Sequence, residues 1–322
     1  MKNLVTAFTM ICTLIISTAN AQLNSANLQY GFIPAQKKME KSYSHEYKNL
    51  KIYVIKAKPS LAKAVKGIEN YINLETAMKK KMIVVKEVSV DGNVNSLIFK
   101  NVSKQTIMVQ MGDVVQGGKQ DRVVSVDALI KPGQSVKLSV FCVEHGRWTG
   151  GNQNNEATFD TYHSTINNSI KQKIVYTNNQ STVWQEVDKL NTANNTKTST
   201  GTYTAVSSSA TYTKDIQTYL NNLLSSLTSD STIVGILAVT GDRIIGCEIF
   251  STPQLFKTNA KNILNSYISE VVLEGKPITI TDAAVNAYLQ NLLSSEEQQN
   301  RVLQKNGKSL IQNGKKVKIS AF

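Results

Sequence analysis

Apolar residues recur at every second position through the first half of this chain and at every third or fourth through the second, the change falling near Gly150. The two periods predict strands followed by helices. Strands are expected over residues 50–55, 82–90, 94–102, 106–111, 122–129 and 135–143, several of them rich in β-branched side chains. Asp91 with Gly92, and Pro132 with Gly133, supply two of the turns between them. Leu61, Val65, Ile68 and Ile72 share a helical spacing behind Pro59 and Ser60, which predicts one helix between the first two strands.

From 151 to 213 the pattern fades. Asn, Thr and Ser dominate 191–213, a composition that buries little apolar area and predicts a flexible surface insert, and only 183–190 shows a weak helical stripe. Periodicity returns with Ile216, Leu220, Leu223, Leu224 and Leu227 on one helix face. Two apolar runs, 233–239 and 243–250, meet at Gly241 and Asp242 and predict a hairpin. Thr252 before Pro253 reads as an N-cap with proline in the first turn, and Leu255, Phe256, Ile263, Leu264, Tyr267 and Ile268 line the helix it starts. Thr281 and Asp282 open another helix, and short strands close the chain around Asn306-Gly307 and Asn313-Gly314. The expected fold class is α+β, with a β-rich, sandwich-like N-terminal half and a mixed helix and hairpin C-terminal half in one composite domain. Within it, 47–150 forms the β-rich lobe, 151–213 a polar excursion and 214–322 the helix and hairpin lobe.

The first residues change this picture. Lys2, an apolar run over 4–16 and the small-residue exit at Ala19, Asn20 and Ala21 predict a cleavable secretory signal over 1–21, with 22–46 as an N-terminal extension. The run is short of the ~20 residues of a spanning helix, so no transmembrane segment is expected after cleavage, and the protein is expected to be periplasmic or secreted. Cleavage leaves Cys142 and Cys247, each inside an apolar β-like run that fits a buried free thiol better than a bridge. The whole chain has 3 histidines, a poor supply for catalytic zinc, and neither a metal nor a cofactor is expected. Its formal net charge of +13 loses only Lys2 with the signal. The lysines are scattered and lack interleaved aromatics, which argues against specific nucleic-acid binding and for a solvated basic surface.

Candidate chemistry concentrates in two polar clusters, GDVVQGGKQDR from Gly112 to Arg122 and CVEHGRW from Cys142 to Trp148. Gly117 and Gly118 permit positive φ or close backbone approach, and Lys119, Gln120 and Arg122 follow with ammonium, amide and guanidinium donors. Such a turn suits an anion, held by a glycine amide nest and the Arg122 fork. The alternative is a tight bulge with Lys119 and Arg122 in solvent, or paired with Asp113 and Asp121. In the second cluster, Glu144 is either a general base or the neutralising partner of Arg122 or Arg147 in an ion pair that joins two loops. Trp148 either stacks on a ligand or lids the core. Strand alternation puts no base beside Cys142, which makes it a poor nucleophile.

The succession NLETAMKK, VSVDGNVNSLIFKNVSKQTIMVQMGDVVQGGKQDRVV, SVKLSVFCVEHGRW and IVGILAVTGDRIIGCEIFSTPQLFKTNAKNILNSYISE resembles the ARG and Rhodanese-Phosphatase-superfamily-associated protein domain. The similarity spans 47–322 and implies one composite domain. It implies no particular reaction, and the insert at 191–213 is longer than the family pattern. The association with phosphatase-type proteins in the family's name does not assign chemistry to this site. The residues favour an exported binding or interaction module that takes a small anionic ligand or a protein partner through Gly117, Gly118, Lys119, Gln120, Arg122, Arg147 and Trp148. The alternative is a hydrolase or transferase acting on a phosphorylated, nucleotide-like or acidic substrate, with Glu144 as general base. The absence of a second carboxylate or a nucleophile triad matched to Glu144 favours the first reading.

Overall fold

The computed structural model describes residues 22–89, 91–148 and 157–322. The expected export signal at 1–21 lies outside them. In the N-terminal part the strands are β1 (Leu28–Gln29), β2 (Phe32–Ile33), β3 (Lys38–Met39), β4 (Ser44–Tyr47), β5 (Leu50–Ala57), β6 (Ile72–Asn73), β7 (Ile83–Glu87) and β8 (Ser96–Asn101). Then come β9 (Ile107–Val109), β10 (Asp113–Gly117), β11 (Arg122–Val124), β12 (Ala128–Ile130), β13 (Ser135–Cys142) and β14 (Thr158–Thr165). The C-terminal part adds β15 (Ile233–Thr240), β16 (Arg243–Phe250), β17 (Gly307–Gln312) and β18 (Lys315–Ala321). The helices are α1 (Pro59–Ala64), α2 (Leu74–Lys79), α3 (Asn168–Thr177), α4 (Gln180–Ala193) and α5 (Ala210–Thr228), followed by α6 (Pro253–Glu274), α7 (Asp282–Leu293) and α8 (Glu296–Asn306).

The fold is α+β, and its β-rich half closes on itself as a barrel in the order β10-β11-β13-β8-β7-β14. Every pair around the ring is antiparallel, and β10 meets β14 to shut it. Alternation sends Val85, Phe99, Val124 and Val140 inward, and α2 packs Leu74, Ala77 and Met78 against that interior. The opposite face of β10, β11 and β13 carries Val114, Val123 and Phe141 onto α3 and α4.

The second body is a sheet in the order β1-β5-β15-β16-β18-β17, with β4 also on β5. Ile52, Val54 and Ile236 face α5 and α6, whereas Tyr53, Ile55 and Leu237 face α7 and α8. The expected hairpin is β15 with β16, turning at Gly241 with φ of +56°. The expected caps form as well: Thr252 accepts from the Leu255 N–H at 3.2 Å and Thr281 from the Ala284 N–H at 3.2 Å.

Several expectations are corrected. β5 lies in the β-rich half of the chain yet pairs with β15, so the two halves share one sheet. The helix expected from Leu61 to Ile72 ends at Ala64, the chain turns through Gly67 at φ of +91°, and Ile72 belongs to β6. The run 122–129 is two strands, β11 and β12, which enter different sheets. The polar region beyond Gly150 holds β14, α3 and α4. The insert at 191–213 packs Tyr203 and Val206 beneath the surface instead of lying over it as an open excursion. Among the described residues Cys142 and Cys247 are buried and unbridged, the outcome that their apolar surroundings favoured. Among the described residues no helix is long and apolar enough to cross a membrane.

Candidate functional site

Both polar clusters converge on one mouth of the barrel. Arg122 follows the inward parity of Val124, Glu87 that of Val85, and Cys142 that of Val140, so the three enter the lumen together. Arg122 is 0% exposed. Its Nη1 donates to the Gln120 carbonyl at 2.9 Å and to Gln120 Oε1 at 3.3 Å, and Nη2 lies 3.7 Å from Glu87 Oε1. Among the described residues Nε and Nη2 have no hydrogen-bond partner. Trp148, 44% exposed, sits over this guanidinium with its ring centroid 5.8 Å from Cζ, and Lys119 Nζ stands 5.7 Å from the same ring.

The two glycines do not form an open nest. The Gly117 N–H donates to Asp121 Oδ1 at 3.2 Å, the Gly118 N–H to the Thr158 carbonyl at 2.8 Å, and the Lys119 N–H to Glu87 Oε1 at 3.2 Å. Donors that could have met an external anion are satisfied by the protein's own acceptors. The glycines are needed for packing instead. Gly118 has φ of +51°, and a Cβ there would overlap the Phe159 ring.

Glu144 is tied down. Arg147 Nε donates to both its oxygens at 3.0 Å, Arg147 Nη2 reaches Oε2 at 2.7 Å, and the Asp121 N–H donates to Oε2 at 3.0 Å. Arg147 also holds the Gly118 carbonyl at 2.8 Å, the Gly117 carbonyl at 3.2 Å and Asp121 Oδ1 at 3.2 Å. Asp121 Oδ2 accepts from the Thr202 and Thr204 hydroxyls at 2.8 and 2.9 Å. Arg147, Glu144 and Asp121 therefore clamp the glycine turn, the end of β13 and the 202–204 segment. Burial alone would raise the Glu144 pKa, but the bonds from Arg147, Thr200 and the Asp121 amide outweigh it and hold the carboxyl below its ordinary range. That is the state of a neutralising partner and a weak proton acceptor. Arg122 pairs with neither Asp113 nor Asp121, the partners foreseen for it. Burial pushes the Cys142 thiol pKa up, with Arg122 only partly opposing, so it is no thiolate nucleophile. Gln120 is buried and spans the clusters, its Nε2 donating to the His145 carbonyl at 3.3 Å.

A second charged constellation lies where the barrel meets the sheet. Lys318 on β18 is 3.0 Å from Glu248 of β16 and 3.4 Å from Asp127, in the segment between β11 and β12. Lys171 of α3 is 3.5 Å from Glu248, and Ser320 Oγ donates to Glu248 Oε2 at 2.6 Å. Beside them Asp113 takes the Tyr162 hydroxyl at 3.1 Å and the Gln110 N–H at 2.8 Å. Burial pushes Asp113 up to about 7, with those hydrogen bonds and Lys318 opposing. Burial likewise lowers Lys171, whereas on Lys318 the carboxylates Asp127 and Glu248 outweigh burial and raise it. These five charged residues come from positions 113 to 318, and no spacing links them. One signal was visible: Glu248 interrupts the apolar run IIGCEIF. Among the described residues no group of three or more His, Cys, Asp or Glu could hold a metal ion.

Fold and site together define an α+β protein whose closed barrel, with a buried arginine at its mouth, is keyed by charge onto a helix-covered sheet. The chain belongs to the family of the ARG and Rhodanese-Phosphatase-superfamily-associated Protein domain, whose pattern it matches over residues 38–322. No curated protein and no solved structure matches it.

Proposed function

We propose that this is an exported recognition protein, periplasmic or secreted, whose barrel mouth takes a small anionic ligand on Arg122, with Lys119 and Trp148 as its outer contacts. The carrying observation is the buried guanidinium whose Nε and Nη2 make no hydrogen bond among the described residues, Nη2 meeting only the Glu87 carboxylate at 3.7 Å, beneath a half-exposed tryptophan. An unsatisfied buried donor costs about 1–3 kcal/mol, more when charged, and an anion that displaces Trp148 recovers it through charge-assisted hydrogen bonds. Gly117, Gly118, Gln120 and Arg147 shape the mouth and do not touch the ligand. The alternative of a hydrolase or transferase needs an unencumbered base at Glu144, and both Glu144 oxygens are engaged.

The test is thermal unfolding of the protein against inorganic phosphate, nucleotides and acidic sugars. A cognate anion at 100 times its Kd stabilises by about 2.7 kcal/mol. Arg122→Gln should abolish the shift, and the surface changes Lys119→Ala and Trp148→Ala should weaken it without loss of fold. The proposal fails if no anion moves the transition, or if the shift survives in all three variants.

A further inference from the structure

A separate cavity of about 640 Å³ opens at one end of the sheet, between α1 with the turn after it, the Ser231–Thr232 segment and the first turn of α6. Its size falls within the roughly 300–1,000 Å³ of small-molecule pockets. One wall is apolar, presented by the exposed Pro59 and Ala62 and the half-buried Ile68, with Leu61 and Val65 behind them buried against the sheet.

The rim is cationic. Lys58 and Lys66 line it, and Lys315 reaches it by donating to the Lys66 carbonyl at 2.6 Å. Lys58 Nζ donates to the Ser25 carbonyl at 2.6 Å. Among the described residues no carboxylate pairs with any of these three ammonium groups. Two further features stand on the same side. The 22-residue helix α6 begins there, its first turn carrying the positive end of the helix dipole. Ser251, just before it, is fully buried, lines the cavity and has a hydroxyl without a hydrogen-bond partner among the described residues. A fully polar ligand would strand the apolar wall, and a fully apolar one would strand the rim.

We infer that this cavity binds a single-chain amphiphile with an anionic head, its tail along the α1 wall and its head at the lysine rim and the start of α6. The probes are dodecanoate and dodecyl phosphate, which share a tail and differ in the source of the charge, and dodecanol and acetate, which supply tail and head alone. Isothermal titration below micelle concentrations should show saturable single-site binding of at least one charged probe, with dodecanol and acetate at least tenfold weaker. Lys66→Glu should weaken that binding about tenfold, and Ala62→Trp, an exposed position on the lining, should block it. Arg122→Gln should leave it unchanged, which separates this site from the barrel mouth. Equal binding of dodecanol, no binding of either charged probe, or indifference to Ala62→Trp overturns the inference.

Discussion

Glu144 and Asp113 are two buried carboxyl groups with opposite pH signatures. Glu144 is held below its ordinary range, because the Arg147 and amide bonds outweigh its burial. Its contribution to stability is present above the unfolded glutamate pKa and is lost as pH falls through the lower, folded value. Asp113 is raised to about 7 by burial, so its contribution is present below the unfolded aspartate pKa of about 4 and is lost as pH rises through 7. Urea unfolding from pH 3 to 8 should therefore show Glu144→Gln flattening the acid side and Asp113→Asn flattening the fall between about 4 and 7. Parallel pH profiles for wild type and either variant would refute the assignment for that residue. Both residues stood within the stretch that the sequence singled out, and Arg147 was one of the two partners foreseen for Glu144, but the bonds from Thr200 to Glu144 and from Tyr162 to Asp113 could not be read, because they depend on tertiary approach. Arg122 shows the same limit: the strand it begins was legible, and only closure of the barrel made its side of that strand an interior.

At the scale of elements, the parts that were legible carry their own local chemistry. The β15–β16 turn, the Thr252 and Thr281 caps and the long apolar stripe of α6 are decided by neighbours within a few residues. β14 was not legible. Apart from Phe159 and Tyr162 its residues from Thr158 to Thr165 are polar, and only Phe159 and Thr165 are buried, so no alternation betrays it. It becomes a strand because β10 and β7 lend it hydrogen bonds on both sides. Its junction with β10 depends on Gly118, and Gly118→Ala should destabilise by about 2–4 kcal/mol, since a Cβ at positive φ meets the buried Phe159 ring. A denaturation midpoint unchanged by that substitution would refute the packing role given to this glycine.

For the whole molecule, the junction of barrel and sheet rests on charge as well as apolar contact. Lys318→Met would leave Glu248 and Asp127 buried with less compensation, and the expected loss is about 3–5 kcal/mol. A variant as stable as wild type would show that these carboxylates rely on Lys171 and hydrogen bonds alone. The sequence by itself determined the α+β class, the family, the central hairpin, the capped helices and the region where polar groups gather, because period, turn chemistry and caps act over a few residues. Tertiary structure alone decided that the β-rich half closes as a barrel, that β5 crosses into the C-terminal sheet, and that the glycine amides are already occupied. It also decided that Lys171, Glu248 and Lys318 meet. Strand partners and buried ion pairs join residues far apart in the chain, and their energies depend on a burial that exists only once the fold has formed.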